Sequence, residues 1–283
     1  MEQEPAKLAF VTAAYGEDFF PFLLSHLFSM HAAHPHCKSL VLWQDMPEQS
    51  MKLLEAAFPS CMFIKTNESL GASSVERIAL KLKAWYIGAE ICADMKVCFA
   101  DCDTLFVKSI EPFFNECFDF TITWKDQVWP INTGVFLGTG GSKLSHFMKE
   151  WLSRTCEILS DANRANKANF LSGAPDQHSL RELIGFVNYD GFFNRSILET
   201  SYVIRGVNYQ YLNQFDCAPI TEETYIIHYK TGWHPILFKH QGFTTGRPKE
   251  KCLQMYEYFI KVFQMARTHL MSKTGADIPN GFI

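Results

Sequence analysis

Along the first third of the chain, hydrophobic positions follow two alternating patterns. Short apolar runs at Leu8 to Tyr15, Ser39 to Trp43, Met62 to Lys65 and Lys96 to Ala100 have the length of buried strands. Between them lie three stretches with helical spacing. Phe19 to Ala33 puts Phe20, Leu23, Leu24, Leu27 and Phe28 on one face, Gln49 to Phe58 stops before Pro59, and Ser74 to Cys92 is longer. Strands alternating with helices at this pitch predict βαβ units, hence an α/β fold with a mostly parallel central sheet flanked by helices. Such sheets bind ligands beyond the carboxyl ends of their strands. Tyr15-Gly16 falls at one such end and Asp101-Cys102-Asp103 at another.

The pattern then loosens. Ile131 to Leu137 reads as a strand containing Gly134, and Ser142 to Leu159 as a helix capped by Ser142, with Leu144, Phe147, Met148, Trp151 and Leu152 inward. Asp161 to Ser172 is polar and reads as a loop. Tyr225 to Ile227 is a strand ending on His228, and Glu250 to Leu270 a helix striped by Leu253, Tyr256, Phe259, Ile260 and Phe263. No repeat occurs, and no Pro-, Gly- or Ser-rich linker divides the chain, so 1–283 reads as one domain.

Composition narrows the function. With 26 Lys and Arg against 30 Asp and Glu, the net charge is -4, unlike a nucleic-acid binder that neutralises phosphates. Hydrophobic residues make up 47% and charged ones 20%, which excludes intrinsic disorder. No apolar run is long enough to span a bilayer. The acidic start lacks a secretory signal, so a cytoplasmic protein is expected. Nine cysteines sit mostly in apolar strings such as Val97-Cys98-Phe99, with no C-x-x-C pair, and read as reduced hydrophobes. Lys249, Lys251, Lys261, Arg267 and Lys273 flank the last helical stripe. They leave open a weak membrane-surface contact, although a helix covering its own core explains the stripe as well.

Several groups can carry chemistry. Asp101 and Asp103, two apart after a strand, can turn both carboxylates to one side and hold a hard divalent cation, or form a solvated turn. His228 can complete a metal shell or simply pack. Asp176-Gln177 can cap a helix or hydrogen-bond a polar ligand. Gly134, after Asn132-Thr133, marks either a bulge or the close approach of a ligand or another backbone. Arg77, Lys81 and Lys83 share part of a helix face, where a cation can meet a diphosphate or sit as surface charge. Trp124, Trp129, Phe192, Phe193, Tyr209 and Tyr211 fall in expected loops, where sugar rings or bases can stack; core packing accounts for most of the other aromatic residues.

Taken in order, these pieces resemble the retaining nucleotide-sugar glycosyltransferases of the glycogenin type, glycosyltransferase family eight, which have a Rossmann-like GT-A fold. The resemblance rests on Thr12 to Tyr15, Lys81-Leu82-Lys83-Ala84-Trp85, Asp101-Cys102-Asp103, Asn132-Thr133-Gly134-Val135, Asp176-Gln177 and His228 to Pro235. It spans about Leu8 to Phe238. In the last motif the glycine, Gly232, comes one residue late, and His234 stands where the family has lysine.

The resemblance implies a nucleotide-binding half over 7–110, a donor-sugar and acceptor half over 111–248, and a C-terminal helix over 249–283. It implies a hexosyltransferase that takes a nucleotide-sugar donor, most simply a UDP-sugar, and retains anomeric configuration. Asp101, Asp103 and His228 would hold Mn2+, with Mg2+ as second choice. Thr12, Ala13 and Tyr15 would border the base, and Lys81 would meet the donor's phosphate or sugar. Lys230, Gly232 and His234 would lie at the diphosphate, while Asn132, Asp176 and Gln177 would bind the donor sugar. The acceptor is open between saccharide, lipid, protein and small molecule, and 188–219 would shape its side. A sugar-phosphate nucleotidyltransferase is the alternative enzyme, but Ala13 to Asp18 is acidic where that chemistry wants a basic, glycine-rich loop. A non-catalytic nucleotide-sugar-binding module is the other alternative.

Overall fold

The computed structural model describes residues 7–66, 74–125, 131–185, 187–215, 219–230, 233, 237 and 249–278. The first third folds as its pattern predicts: β1 (Leu8–Tyr15), α1 (Phe20–Ala33), β2 (Lys38–Gln44), α2 (Glu48–Ala57), β3 (Cys61–Lys65), α3 (Ser74–Ile91) and β4 (Lys96–Asp101). There follow β5 (Thr104–Phe106), β6 (Phe120–Trp124), β7 (Ile131–Asn132), β8 (Val135–Thr139), α4 (Ser142–Leu159), α5 (Ala162–Ser172), α6 (Pro175–Ile184), β9 (Gly191–Ile197), β10 (Thr200–Asn208), α7 (Tyr209–Leu212), β11 (Ile226–His228) and a C-terminal helix, Lys249–Thr274.

The main sheet runs β3-β2-β1-β4-β8-β6-β10-β9, with β7 paired to β6. β1 to β4 pair in parallel, as do β6 and β10, while β8 runs antiparallel to β4 and β6. Successive strand residues feed two different cores, because side chains alternate across a sheet. Phe10 and Ala14 face α1, α2 and the C-terminal helix. Val11, Ala13 and Tyr15 face α3, α4 and α6. The result is an α/β fold with helices on both faces of the sheet.

The local expectations fail in five places. Asp161 to Ser172 is a helix, not a loop: Asp161 accepts from the backbone N–H groups of Asn163 and Arg164, and only the small residues Ala165, Ala168 and Ser172 are buried. A helix that buries so little leaves no apolar stripe to read. The strand expected over Ile131 to Leu137 breaks at Thr133-Gly134 into β7 and β8. The N-cap of α4 is Gly141, not Ser142, and makes no side-chain cap. Trp124, Phe192 and Phe193 lie on strands and Tyr209 and Tyr211 on α7, not in loops; Trp129 lies outside the described residues. Finally, the buried stripe of the C-terminal helix runs through Cys252, Met255, Phe259, Val262, Phe263, Ala266 and Leu270, whereas Leu253 is exposed. That stripe packs on α1 and α2, so the helix closes this protein's own core. Among the described residues, no helix is long and apolar enough to cross a membrane.

Candidate active site

β4 ends at Asp101, and the chain turns at once into β5. Thr104 Oγ1 donates to the Asp101 carbonyl at 2.8 Å, closing a turn across Cys102 and Asp103. The two carboxylates therefore sit on a turn rather than on extended chain. β5 pairs antiparallel with β11, and His228 lies opposite Thr104 in that ladder. The Tyr229 N–H also bonds the Asp103 carbonyl at 2.8 Å. This two-strand clip brings the distant imidazole to the acidic turn: His228 Nε2 is 3.1 Å from Asp103 Oδ1 and 3.6 Å from Asp101 Oδ2. One ligand atom from each of the three lies within 4.8 Å of the others.

Asn213, buried at the end of α7, orients that ring. His228 Nδ1–H donates to Asn213 Oδ1 at 2.9 Å, which aims Nε2 at the carboxylates. The Asn213 amide donates in turn to Thr123 Oγ1 at 3.0 Å and to Asn132 Oδ1. Gly134 supplies the space, since a Cβ there would lie 2.3 Å from two atoms of the imidazole. What approaches this glycine is the His228 side chain, not the ligand or second backbone expected there.

Lys81, on α3, links the acidic turn to α6. Its ammonium is 2.8 Å from Asp176 and 3.4 Å from Asp101. Thr133 donates to Asp176 at 2.6 Å, and Asn132 donates to Gln177 at 3.2 Å. Asp176 is buried in the first turn of α6, where the helix dipole also favours its charge. Burial works against that charge, but Lys81, Thr133 and the Gln177 N–H outweigh it and hold the carboxyl below its ordinary range. Burial opposes the Lys81 charge as well, yet Asp101 and Asp176 keep that ammonium firmly protonated. Asp101 moves the other way. Burial raises its pKa, Lys81 and His228 oppose, and the neighbouring Asp103 and Asp176 add to the rise.

The cleft beside this cluster, about 230 Å3, is lined by Ala13, Tyr15, Phe19, Arg77, Ile78, Lys81, Asp101, Cys102 and Asp103. The Tyr15 hydroxyl has no hydrogen-bond partner among the described residues. Thr12 is placed differently: its hydroxyl donates to the Ala100 carbonyl at 2.6 Å, on the other face of β1. Arg77 and Lys81 share the cleft, whereas Lys83 is exposed and lines a separate one. Lys125 and Lys230 both set their ammonium groups over the Phe215 ring, at 4.6 and 3.5 Å. Burial, with Lys125 adding, lowers the Lys230 amine to about 8, although Asp101, Asp103 and Asp176 pull it upward. Gly232 and His234 lie outside the described residues.

The donor set suits a divalent cation. Two carboxylates and one imidazole are ligand types that divalent cations accept together. The Asn213 bond leaves Nε2 facing the carboxylates, in position to ligate one ion together with them. In the sequence Thr133 is singled out only as part of the Asn132-Thr133-Gly134-Val135 motif, with no role of its own, and Asn213 and Lys125 are not singled out at all. Nothing in their spacing marks them, since their roles come from partners far along the chain.

The fold, a central sheet flanked by helices on both faces, is that of GT-A glycosyltransferases. Among solved structures, the glycosyltransferase GlyE of Streptococcus pneumoniae TIGR4 superposes with a TM-score of 0.60 at 14% identity, over 97% of this chain and 66% of GlyE. The galactosyltransferase LgtC, crystallised with donor and acceptor sugar analogues, gives 0.58 at 16% identity, over 96% of this chain and 98% of LgtC. The bifunctional glycosyltransferase WbbM gives 0.52 at 8% identity, with this chain spanning 53% of its length. No protein-family model and no curated protein matches the sequence, so the likeness is one of fold.

Proposed function

We propose that this protein is a metal-dependent glycosyltransferase that moves a hexose from a nucleotide-sugar, most simply a UDP-sugar, to an acceptor hydroxyl with retention of anomeric configuration. The convergence of Asp101, Asp103 and His228 beside the Lys81–Asp176 pair carries this reading. The fold it shares with LgtC and GlyE supports it.

Asp101, Asp103 and His228 would hold Mn2+, which when bound neutralises charge developing on a diphosphate leaving group. The chain's own residues do the rest. Lys81 adds a fixed positive charge beside the leaving phosphates. Asn132 and Gln177, already bonded to each other, present amide groups to the sugar hydroxyls. Ala13 and Tyr15 line the side where the base would lie. Asp176 is ion-paired and hydrogen-bonded, so it supplies negative charge to an oxocarbenium-like sugar rather than shuttling a proton. Retention then follows by a front-face route in which a departing phosphate oxygen takes the acceptor's proton.

The test is UDP release from a panel of UDP-sugars, with and without Mn2+. Expected is slow hydrolysis that needs the metal and falls at least a hundredfold in Asp103→Asn, about 3 kcal/mol of transition-state stabilisation. Turnover that ignores both the metal and the substitution, or donor binding with no turnover for any sugar, would sink this assignment.

A further inference from the structure

Away from the metal cleft lies a larger cavity, about 560 Å3, that shares no lining residue with it. It is built on β9 and β10, the 3-10 turn Glu111–Asn115, α7 and the segment 222–225. Its size falls within the range of small-molecule sites, about 300–1,000 Å3. Four aromatic rings line it: Phe113, Phe192, Tyr211 and Tyr225. Phe192 is 45% exposed on β9, the edge strand of the sheet, so its ring is open to a ligand.

Two cations lie over three of these rings, Phe113, Phe192 and Tyr225. The Arg205 guanidinium carbon lies 5.2 Å from the Phe113 ring centre and 5.6 Å from that of Phe192. Its Nη1 donates to the Phe113 carbonyl at 2.8 Å and pairs with Glu116 at 3.0 Å. Lys108 stands 4.0 Å over the Tyr225 ring and donates to the Glu222 carbonyl. The walls are thus fixed in advance, which lowers the ordering cost of binding.

Charge selects among ligands. Arg205 and Lys108 are outnumbered by Glu116, Asp190, Glu222 and Glu223 on the same walls. A surplus of carboxylates repels phosphates, nucleotides and acidic sugars. Glu223, with burial and Asp190, also keeps the Tyr211 hydroxyl protonated as a donor. Flat apolar faces edged by acceptors match a pyranose, which has C–H faces and a rim of hydroxyl donors.

We propose that this cavity binds a neutral oligosaccharide, the part of a saccharide acceptor that has already been built. The same segments carry both sites: Tyr225 precedes His228 by three residues, at most about 11 Å of chain, and Tyr211 lies just before Asn213. A sugar chain here lies only a few units from the transfer centre. The acceptor role rests on the glycosyltransferase reading; saccharide binding does not.

Calorimetry and saturation-transfer NMR on the full chain in EDTA test the site directly, with maltopentaose, chitopentaose and lactose as probes and pentalysine as a basic control. At least one neutral sugar should bind with a Kd of about 1 mM or tighter. Phe192→Ala should weaken it at least tenfold without changing the melting temperature by more than a few degrees, and Asp103→Asn should leave it unchanged. The proposal is overturned if no neutral sugar binds, if only pentalysine binds, or if binding survives Phe192→Ala but is lost in Asp103→Asn. Mn2+-dependent UDP release is read on the same preparations. Its absence with sugar binding intact overturns the transferase reading and the acceptor role, while the saccharide site stands.

Discussion

Replacing Gly134 with alanine tests how tightly the imidazole is held. The new methyl carbon would lie 2.3 Å from both Cε1 and Nδ1 of His228, where ordinary contact begins at 3.4 Å. The backbone of Gly134 does not need a left-handed conformation, so space alone is at issue. An imidazole cannot bend, and this one is buried and bonded to Asn213. Overpacking of this kind costs about 1–3 kcal/mol of stability. A ring pushed aside also carries Nε2 away from Asp103, now 3.1 Å distant, and misplacing a ligand this way weakens metal binding by about 10–100-fold. Urea unfolding reads the first effect, and the electron paramagnetic resonance signal of free Mn2+ reads the second. The decisive comparison is with His228→Ala. There the ring is gone, and of the three atoms nearest the methyl just Asn132 Oδ1, at 3.0 Å, remains, so most of the stability cost should vanish. If Gly134→Ala alone changes neither quantity, or if its cost is undiminished without the ring, the packing argument is wrong.

Three further outcomes are expected. Asn213→Ala removes the acceptor for His228 Nδ1–H, so Mn2+ affinity measured by calorimetry should fall about 10–100-fold, with Asn213→Asp recovering part of it. Lys81→Met leaves the buried Asp176 carboxylate without its cation and should cost about 3–5 kcal/mol at neutral pH; a urea midpoint that drops less at about pH 5 would show the carboxylate taking up a proton. His26 is buried with Nδ1 bonded to the Thr104 carbonyl at 3.1 Å, and burial lowers its pKa to about 4. The unfolded chain, with a value near 6.5, then binds the extra proton first. Stability should therefore decline as the pH falls from about 6.5 to about 4, by roughly 3 kcal/mol in all, and His26→Asn should flatten that slope.

The hairpin of β9 and β10 and the helix α5 escaped the sequence for the same reason. Their local chemistry does not carry the usual signals. The hairpin turns at Leu198 and Glu199, both with positive φ, where a glycine or asparagine would have announced the turn. The helix α5 is polar nearly all round and rests on small residues. In the first third, by contrast, β1, β2 and β4 are buried along nearly their whole length, only the edge strand β3 is partly exposed, and each helix has a continuous apolar side, so pattern and fold agree.

The chain's own pattern determined the alternating strands and helices and the acidic pair at the end of β4, because burial periodicity and strand-end position are local properties. It also supplied the separate motifs around Lys81, Asn132, Asp176 and His228. Only the tertiary structure decided that these meet. β5 and β11 are three residues each, too short to be recognised alone, yet their register sets His228 against the acidic turn. Asn213 became an orienting group only because α7 delivers it to that ring, and Lys81 an ion-pair partner only because α3 crosses α6. Contacts between residues so far apart in the chain leave no spacing behind them, since their geometry comes from the packing of whole elements.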